Sequence, residues 1–206
     1  PCGRPWRGRP DASAAGADHR HVAVLTGGQR QSLLAAVTST HDSKVVYAGC
    51  DVGGFFTSTN SGATWRILNT GLHDLYVEVI APHPVKPNVI YIGTEGGVHR
   101  SDDWGEHWQW LREGFPPTQS SAFSAPIGAL AIDPQQPDTV YAGIGRPRWG
   151  KGGTGTIYKT TDAGGHWQIA NVNGGGIERE AIVSDLVVHP SAKGRVFAAT
   201  DHGLYR

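Results

Sequence analysis

The sequence predicts an all-β fold, a β-propeller of four-stranded antiparallel blades, and three observations carry that expectation. An eight-residue phrase occurs three times, at residues 58–65 (STNSGATW), 101–108 (SDDWGEHW) and 160–167 (TTDAGGHW). A β-branched and aromatic run closed by small residues precedes each copy, at 45–49 (VVYAG), 89–93 (VIYIG) and 139–143 (TVYAG), and recurs at 195–199 (RVFAA). Tyr47, Tyr91, Tyr141 and Phe197 thus mark a repeat of about 50 residues, and a fixed period of that size means a repeat architecture. No stretch sustains the apolar period of a helix.

Each unit resolves into strands in chain order. The first strands are the runs 33–37, 77–81, 127–132 and 186–188, mostly ending near a proline such as Pro82, Pro84, Pro134 or Pro190. The aromatic runs come second. Third are 55–57, 98–100, 157–159 and 204–206, and the residues after each Trp of the phrase supply a fourth. Four short antiparallel strands per unit is the make-up of a propeller blade. Arg206 stands where a fourth phrase would open, so the chain is expected to be cut inside its fourth blade. Blades bury their faces only on neighbours, and the sequence therefore reads as the N-terminal part of something longer.

The phrase itself has a physical reading. A hydroxyl residue (Ser58, Ser101, Thr160) is followed two positions on by a short acceptor (Asn60, Asp103, Asp162), then by Gly62, Gly105 or Gly164, and three residues later by Trp65, Trp108 or Trp167. The acceptor can take up backbone N–H groups just downstream, while glycine enters the positive φ that a tight reversal needs. Such a turn delivers its Trp into a core. These residues resemble the Asp-box, the bacterial neuraminidase repeat, and the resemblance implies a structural role for all twelve. Asn60 keeps the acceptor oxygen of the usual Asp but loses its charge.

Composition sets bounds. Across 206 residues, 18 Lys and Arg balance 18 Asp and Glu, so nothing in the charge points to nucleic acid or a membrane surface. Twenty-nine Gly and 13 Pro with only 17% charged residues suit a turn-dense β protein, and seven Trp weigh against disorder. No apolar run is long enough to span a bilayer. Cys2 and Cys50 do not make a disulfide framework, and the sequence, lacking Met even at its first position, would not display a signal peptide. Residues 1–22, rich in Pro, Gly, Ala and Arg, read as a disordered leader or linker ahead of a propeller region at 23–206. A basic contact arm built on Arg4, Arg7 and Arg9 is the alternative.

In a propeller the loops joining second to third strands share one face with the crossovers between blades, and the turns joining third to fourth strands lie on the other. The phrases fall on that other face. The candidate face is built from Cys50-Asp51-Val52, Thr94-Glu95, the insertion at 146–154 and Thr200-Asp201-His202. Asp51, Glu95 and Asp201 thus recur at one loop position. Convergent carboxylates can act as general acid and base in glycoside cleavage; alternatively, each bonds the backbone of its own turn. The insertion brings Arg146, Arg148, Trp149 and Lys151, with Trp149 either a platform for a sugar ring or folded onto its blade. Crossovers add His73, Asp74, Tyr76, Glu178, Arg179 and Glu180, with Tyr76 a second platform and the Glu-Arg-Glu cluster either site or solvated charge. Ten His show no metal-ligand spacing, so no metal and no cofactor are expected. The glycines belong to turns rather than to a phosphate loop.

The first blade carries a more specific likeness. Gly27-Gly28, the strand at 33–37 and the run VVYAGCDVGGFF at 45–56 resemble the opening blade of glycoside hydrolase family 74, the two-propeller xyloglucan endo-hydrolases. The resemblance implies a secreted or periplasmic protein acting on a β-glucan-type polysaccharide, with Asp51 as one of two catalytic carboxylates. Cys50 stands where that family usually has Thr. The second acid would belong to a second propeller, so the present chain alone is expected to be inactive. The later blades match only as generic repeats. Sortilin-like and photosystem-assembly-like propellers share those repeats and hold a peptide or protein instead. A sialidase fits less well, because its Phe/Tyr-Arg-Ile-Pro opening motif is missing.

Overall fold

The computed structural model describes residues 32–115, 125–147, 153–171 and 176–206, and within them fifteen strands form four antiparallel sheets. The first blade comprises β1 (Leu33–Thr38), β2 (Val46–Cys50), β3 (Gly54–Ser58) and β4 (Arg66–Ile67). The second holds β5 (Val77–Pro82), β6 (Ile90–Thr94), β7 (Gly97–Ser101) and β8 (Gln109–Leu111). The third holds β9 (Ile127–Ile132), β10 (Val140–Ile144), β11 (Ile157–Thr160) and β12 (Gln168–Ile169), and the last β13 (Val183–Val188), β14 (Val196–Thr200) and β15 (Gly203–Tyr205). Every strand runs antiparallel to its sequence neighbour within a blade, and no helix occurs among the described residues. The expected strands are all present. The expected leader, Gly27-Gly28, Arg148, Trp149 and Lys151 lie outside the described residues.

β1, β5, β9 and β13 pack side by side, so the first strand of each blade is the inner one. Small residues at the end of each aromatic run allow this approach. A Cβ on Gly49 would come within 2.6 Å of the Val77 carbonyl, and one on Gly93 within 2.6 Å of the Ile127 side chain; Gly143 lies equally tight against Val183. Glycine is therefore required where one blade's second strand meets the next blade's first. The turns between first and second strands are held by a side chain at the strand end. His83 Nδ1 accepts from the N–H groups of Val85 and Lys86, Asp133 from Gln135 and Gln136, and His189 from Ser191 and Ala192.

The three phrases form the β3–β4, β7–β8 and β11–β12 turns and share one geometry. Ser101 Oγ donates to Asp103 at 2.8 Å and accepts the Gly105 N–H at 2.8 Å, while Asp103 accepts the His107 N–H at 2.9 Å. Ser58 with Asn60, and Thr160 with Asp162, repeat it. Two successive residues in each turn have positive φ: Ser61 and Gly62, Trp104 and Gly105, Ala163 and Gly164. Glycine was expected at the second of these positions; the left-handed residue before it was not.

Two of the three phrase Trp residues, Trp108 and Trp167, pack on the blade before their own. Trp108 is 6% exposed in a cluster with Tyr47, Phe55 and Leu68 of the first blade, edge-on to Phe55 at 4.9 Å, and its indole N–H donates to the Leu68 carbonyl at 2.8 Å. Trp167, 1% exposed, lies 5.3 Å from Phe115. Tyr91 and Arg100 of the second blade both donate to the carbonyl of Ala163, inside the third turn. Trp65 is only half-buried, against Ala48, Cys50 and Phe56 of its own blade. At the third junction, Tyr141, Ile157, Ala170 and Ile177 face an open groove that Tyr205 and Arg206 also line. By strand register, Tyr141, Ile157 and Ala170 are the counterparts of Tyr47, Phe55 and Leu68, which receive Trp108.

Trp108→Ala should cost about 3–5 kcal/mol, the range for emptying a buried aromatic site. Trp65→Ala should cost well under half as much. Urea unfolding of the two variants, compared by midpoint at constant slope, checks the difference, and equal losses would contradict the junction role.

Candidate functional site

The loop after β2 is held on both shoulders. The Asp51 N–H donates to the Ser32 carbonyl at 2.9 Å, and the Gly54 N–H donates to the Leu75 carbonyl at 2.9 Å. Asn69, fourteen residues downstream, accepts from the Phe55 N–H at 2.9 Å and donates to the Gly53 carbonyl at 3.0 Å. Asn171 treats the third blade alike, bonding Ile157 and Gly155. Asp51 is half-buried at the head of this loop. The buried thiol of Cys50 beneath it is pushed up by burial, with a smaller contribution from the Asp51 charge, and so stays protonated.

The second blade's loop joins the crossover that precedes it. Asp74 accepts from the N–H groups of Tyr76 and Gly96, which seats Tyr76 immediately before β5 on the same face. His73 stacks on Trp110 at 4.5 Å, and Trp110 and Arg112 both donate to the Gly96 carbonyl. Glu95 was expected as a contact on the open face; it is 2% exposed, a buried acid whose charge acts on Glu78.

Glu78 was not anticipated from the sequence. It occupies a one-residue bulge in β5, between Val77 paired with Thr94 and Val79 paired with Gly93. The same bulge falls at Leu34, Gly128 and Ser184 in the other blades. A bulge re-aims a side chain at the end of a strand. Here the carboxyl lies over Gly145 of the third blade, and its Oε2 is buried without a hydrogen-bond partner among the described residues. Burial first, and the Glu95 charge second, push this acid up to about 7. A charged residue second in an otherwise apolar inner strand was the available signal.

Asp201 takes the opposite course. It accepts the Ile182 N–H at 2.8 Å and lies 3.0 Å from His202 Nδ1; the Ile182 bond, followed by His202, holds its carboxyl below the ordinary range. Glu178 approaches the other nitrogen of His202 at 3.5 Å, while Arg179 and Glu180 are exposed, as is Arg146. The three loop acids are thus inequivalent: Asp51 heads a pinned loop, Glu95 is buried beside a second carboxyl, and Asp201 ties down a crossover. Among the described residues no group of three or more His, Cys, Asp or Glu could hold a metal ion, and no helix is long and apolar enough to cross a membrane.

Glu78 should leave a signature in stability against pH. From about pH 4.5 to about pH 7 the unfolded chain has released this proton while the folded chain still holds it, so stability falls as pH rises through that window. Glu78→Gln should remove this part of the slope. Urea midpoints at about pH 5 and pH 7.5 test it, and the same difference in both proteins would mean that Glu78 ionises like an exposed acid.

No family model matches the chain. In sequence it is 31% identical over 130 residues to an oligoxyloglucan-reducing end-specific xyloglucanase of Emericella nidulans, covering 59% of this chain and 15% of that protein. It is 30% identical over 159 residues to a xyloglucanase of Acetivibrio thermocellus, covering 70% of this chain and 18% of that one. The chain therefore spans only 15% and 18% of the length of these curated relatives. In structure it matches an ancestral glycoside hydrolase family 74 enzyme with a TM-score of 0.70 at 22% identity, over 87% of this chain and 23% of the other. It matches YCF48 bound to D1 peptide with a TM-score of 0.52 at 12% identity, over 83% of this chain and 47% of the other. Both structural likenesses are of fold, the β-propeller, and the chain resembles a fragment of a xyloglucanase.

Proposed function

We propose that the chain is part of a polysaccharide hydrolase of the xyloglucanase type, and that Asp51 is one of its two catalytic carboxylates. The observation that carries this reading is the run at 45–56, in which Asp51 heads a loop pinned by Ser32, Asn69 and Leu75. A carboxylate used as acid or base must be held in register with the bond it acts on, and two backbone carbonyls and one side-chain amide around one short loop supply that rigidity. Inverting cleavage of a glycoside needs a second carboxyl roughly 6.5–9.5 Å from the first, with room for a water. In this reading that partner comes from outside the present chain, and Tyr76 and Arg146 line the path of the polysaccharide. The phrase residues, on the other face, hold the blades. Such a protein works where it meets its polymer, secreted or periplasmic.

A second reading, a propeller that holds a peptide or protein on the same face, is favoured by the apolar side chains exposed around the Asp51 loop. Leu33, Val52 and Leu75 would suit a peptide as well as a sugar. One assay separates the two. The full-length protein should release reducing ends from xyloglucan, and Asp51→Ala should lower that rate by about 10²–10⁴, the usual worth of a positioned acid or base. An unchanged rate would remove Asp51 from the mechanism. No release by either protein would favour the peptide-binding reading.

A further inference from the structure

Among the described residues, four that are not glycine have positive φ: Val52, Ser61, Trp104 and Ala163. The last three occupy the same position in the three repeated turns, where hydrogen bonds inside the turn hold them. Val52 alone lies elsewhere, at φ 57°, in the loop headed by Asp51. A β-branched residue is the least suited to the left-handed region, since its Cβ substituents crowd the neighbouring carbonyl. Strain of this kind persists where the surrounding structure over-determines it.

Strand register shows where the residue comes from. In the second and fourth blades, the pairs Thr94–Gly97 and Thr200–Gly203 close a loop of two residues. In the first, Cys50 pairs with Gly54 and the loop has three, Asp51, Val52 and Gly53. The bonds to Ser32, Asn69 and Leu75 fix the residues on either side, so the reversal falls on Val52. Its side chain receives little from the blade in return, because it is 53% exposed. Leu33, opposite Cys50 in the register, is 51% exposed, and Leu75, whose carbonyl accepts from Gly54, is 40% exposed. A strained, outward-facing isopropyl group thus sits directly beside the candidate carboxylate, with two more apolar side chains around the loop.

We propose that Val52 is a specificity-determining contact of the Asp51 site, its isopropyl group packing on the apolar C–H face of a sugar ring whose polar edge meets Asp51. This rests on the polysaccharide reading above. The turn spends conformational energy to hold an apolar surface where the ligand lies, and Leu33 and Leu75 extend that surface.

The test measures two quantities on Val52→Gly, Val52→Ala and Val52→Ile: the melting temperature, and the affinity of the chain for a xyloglucan oligosaccharide by calorimetry. Glycine enters the left-handed region freely, so Val52→Gly should melt higher by about 2–6 °C. It should nonetheless bind about tenfold more weakly, as should Val52→Ala, the scale expected for a lost apolar contact in a site. Val52→Ile, which keeps the branched surface, should bind within about twofold of the wild type. A Val52→Gly protein that binds as tightly as the wild type, or melts no higher, overturns the proposal. Wild-type protein that fails to bind the oligosaccharide at millimolar concentration sinks the polysaccharide reading along with it, whereas equal binding by all variants sinks the Val52 contact alone.

Discussion

The pair of left-handed residues at the centre of each repeated turn is the constraint on which the rest of the molecule depends. Holding a residue other than glycine there costs about 1–2 kcal/mol, and each turn does so at Ser61, Trp104 or Ala163. The opposing gain is local: a hydroxyl and an Asx oxygen close the same few residues with three hydrogen bonds, each worth about 0.5–1.5 kcal/mol net. A turn so determined leaves its chain in one direction, and that direction carries Trp108 or Trp167 across the junction to the previous blade. The junction is then keyed as well as packed. Trp108 donates to a carbonyl of the first blade, and the third turn offers the Ala163 carbonyl to Tyr91 and Arg100. Because the same unit repeats, one local solution sets the angle between successive sheets.

What the turns do at the outer edge, glycine and the bulges do at the inner one. Gly49, Gly93 and Gly143 let each inner strand approach the blade before it, and the bulge that follows changes which side chain looks toward the axis. The backbone of all four blades takes this bulge, yet the residues in it are Leu34, Glu78, Gly128 and Ser184. Architecture therefore rests on positions that repeat, and chemistry on positions that do not. Asp51 with its longer loop, Glu78 above Gly145 and Asp201 tied to Ile182 belong to the second kind.

This division explains what was legible in the sequence. The blades were, because Tyr47, Tyr91, Tyr141 and Phe197 recur in register with strands of the right composition, and repetition turns several weak signals into one strong one. The face on which the phrases lie followed from strand order alone. Glu78 was not legible, since a bulge changes pairing without changing composition; read as plain alternation, an acid between Val77 and Val79 is a surface residue. Asn69 and Asn171 escaped for another reason. Each grips a loop fourteen to sixteen residues earlier in the chain, and only the folded blade brings the amide to it. Glu95 looked like a loop-tip acid, yet in the folded blade it is buried.

The inequivalence of the acids follows from the same cause. The two acids whose ionisation shifts most clearly apart lie in different parts of the blade, Asp201 in the loop after β14 and Glu78 in the bulge of β5. Here the neighbours differ: Asp201 meets a backbone N–H and an imidazole, which stabilise its charge, while Glu78 meets a buried carboxyl, which opposes it. One fold thus holds a carboxylate ionised at one point of the ring and a carboxylic acid protonated near neutrality at another. Environment alone can push like groups apart in this way. A propeller supplies this separation without altering its frame, because the loop and the inner-strand bulge hold their acids among different neighbours.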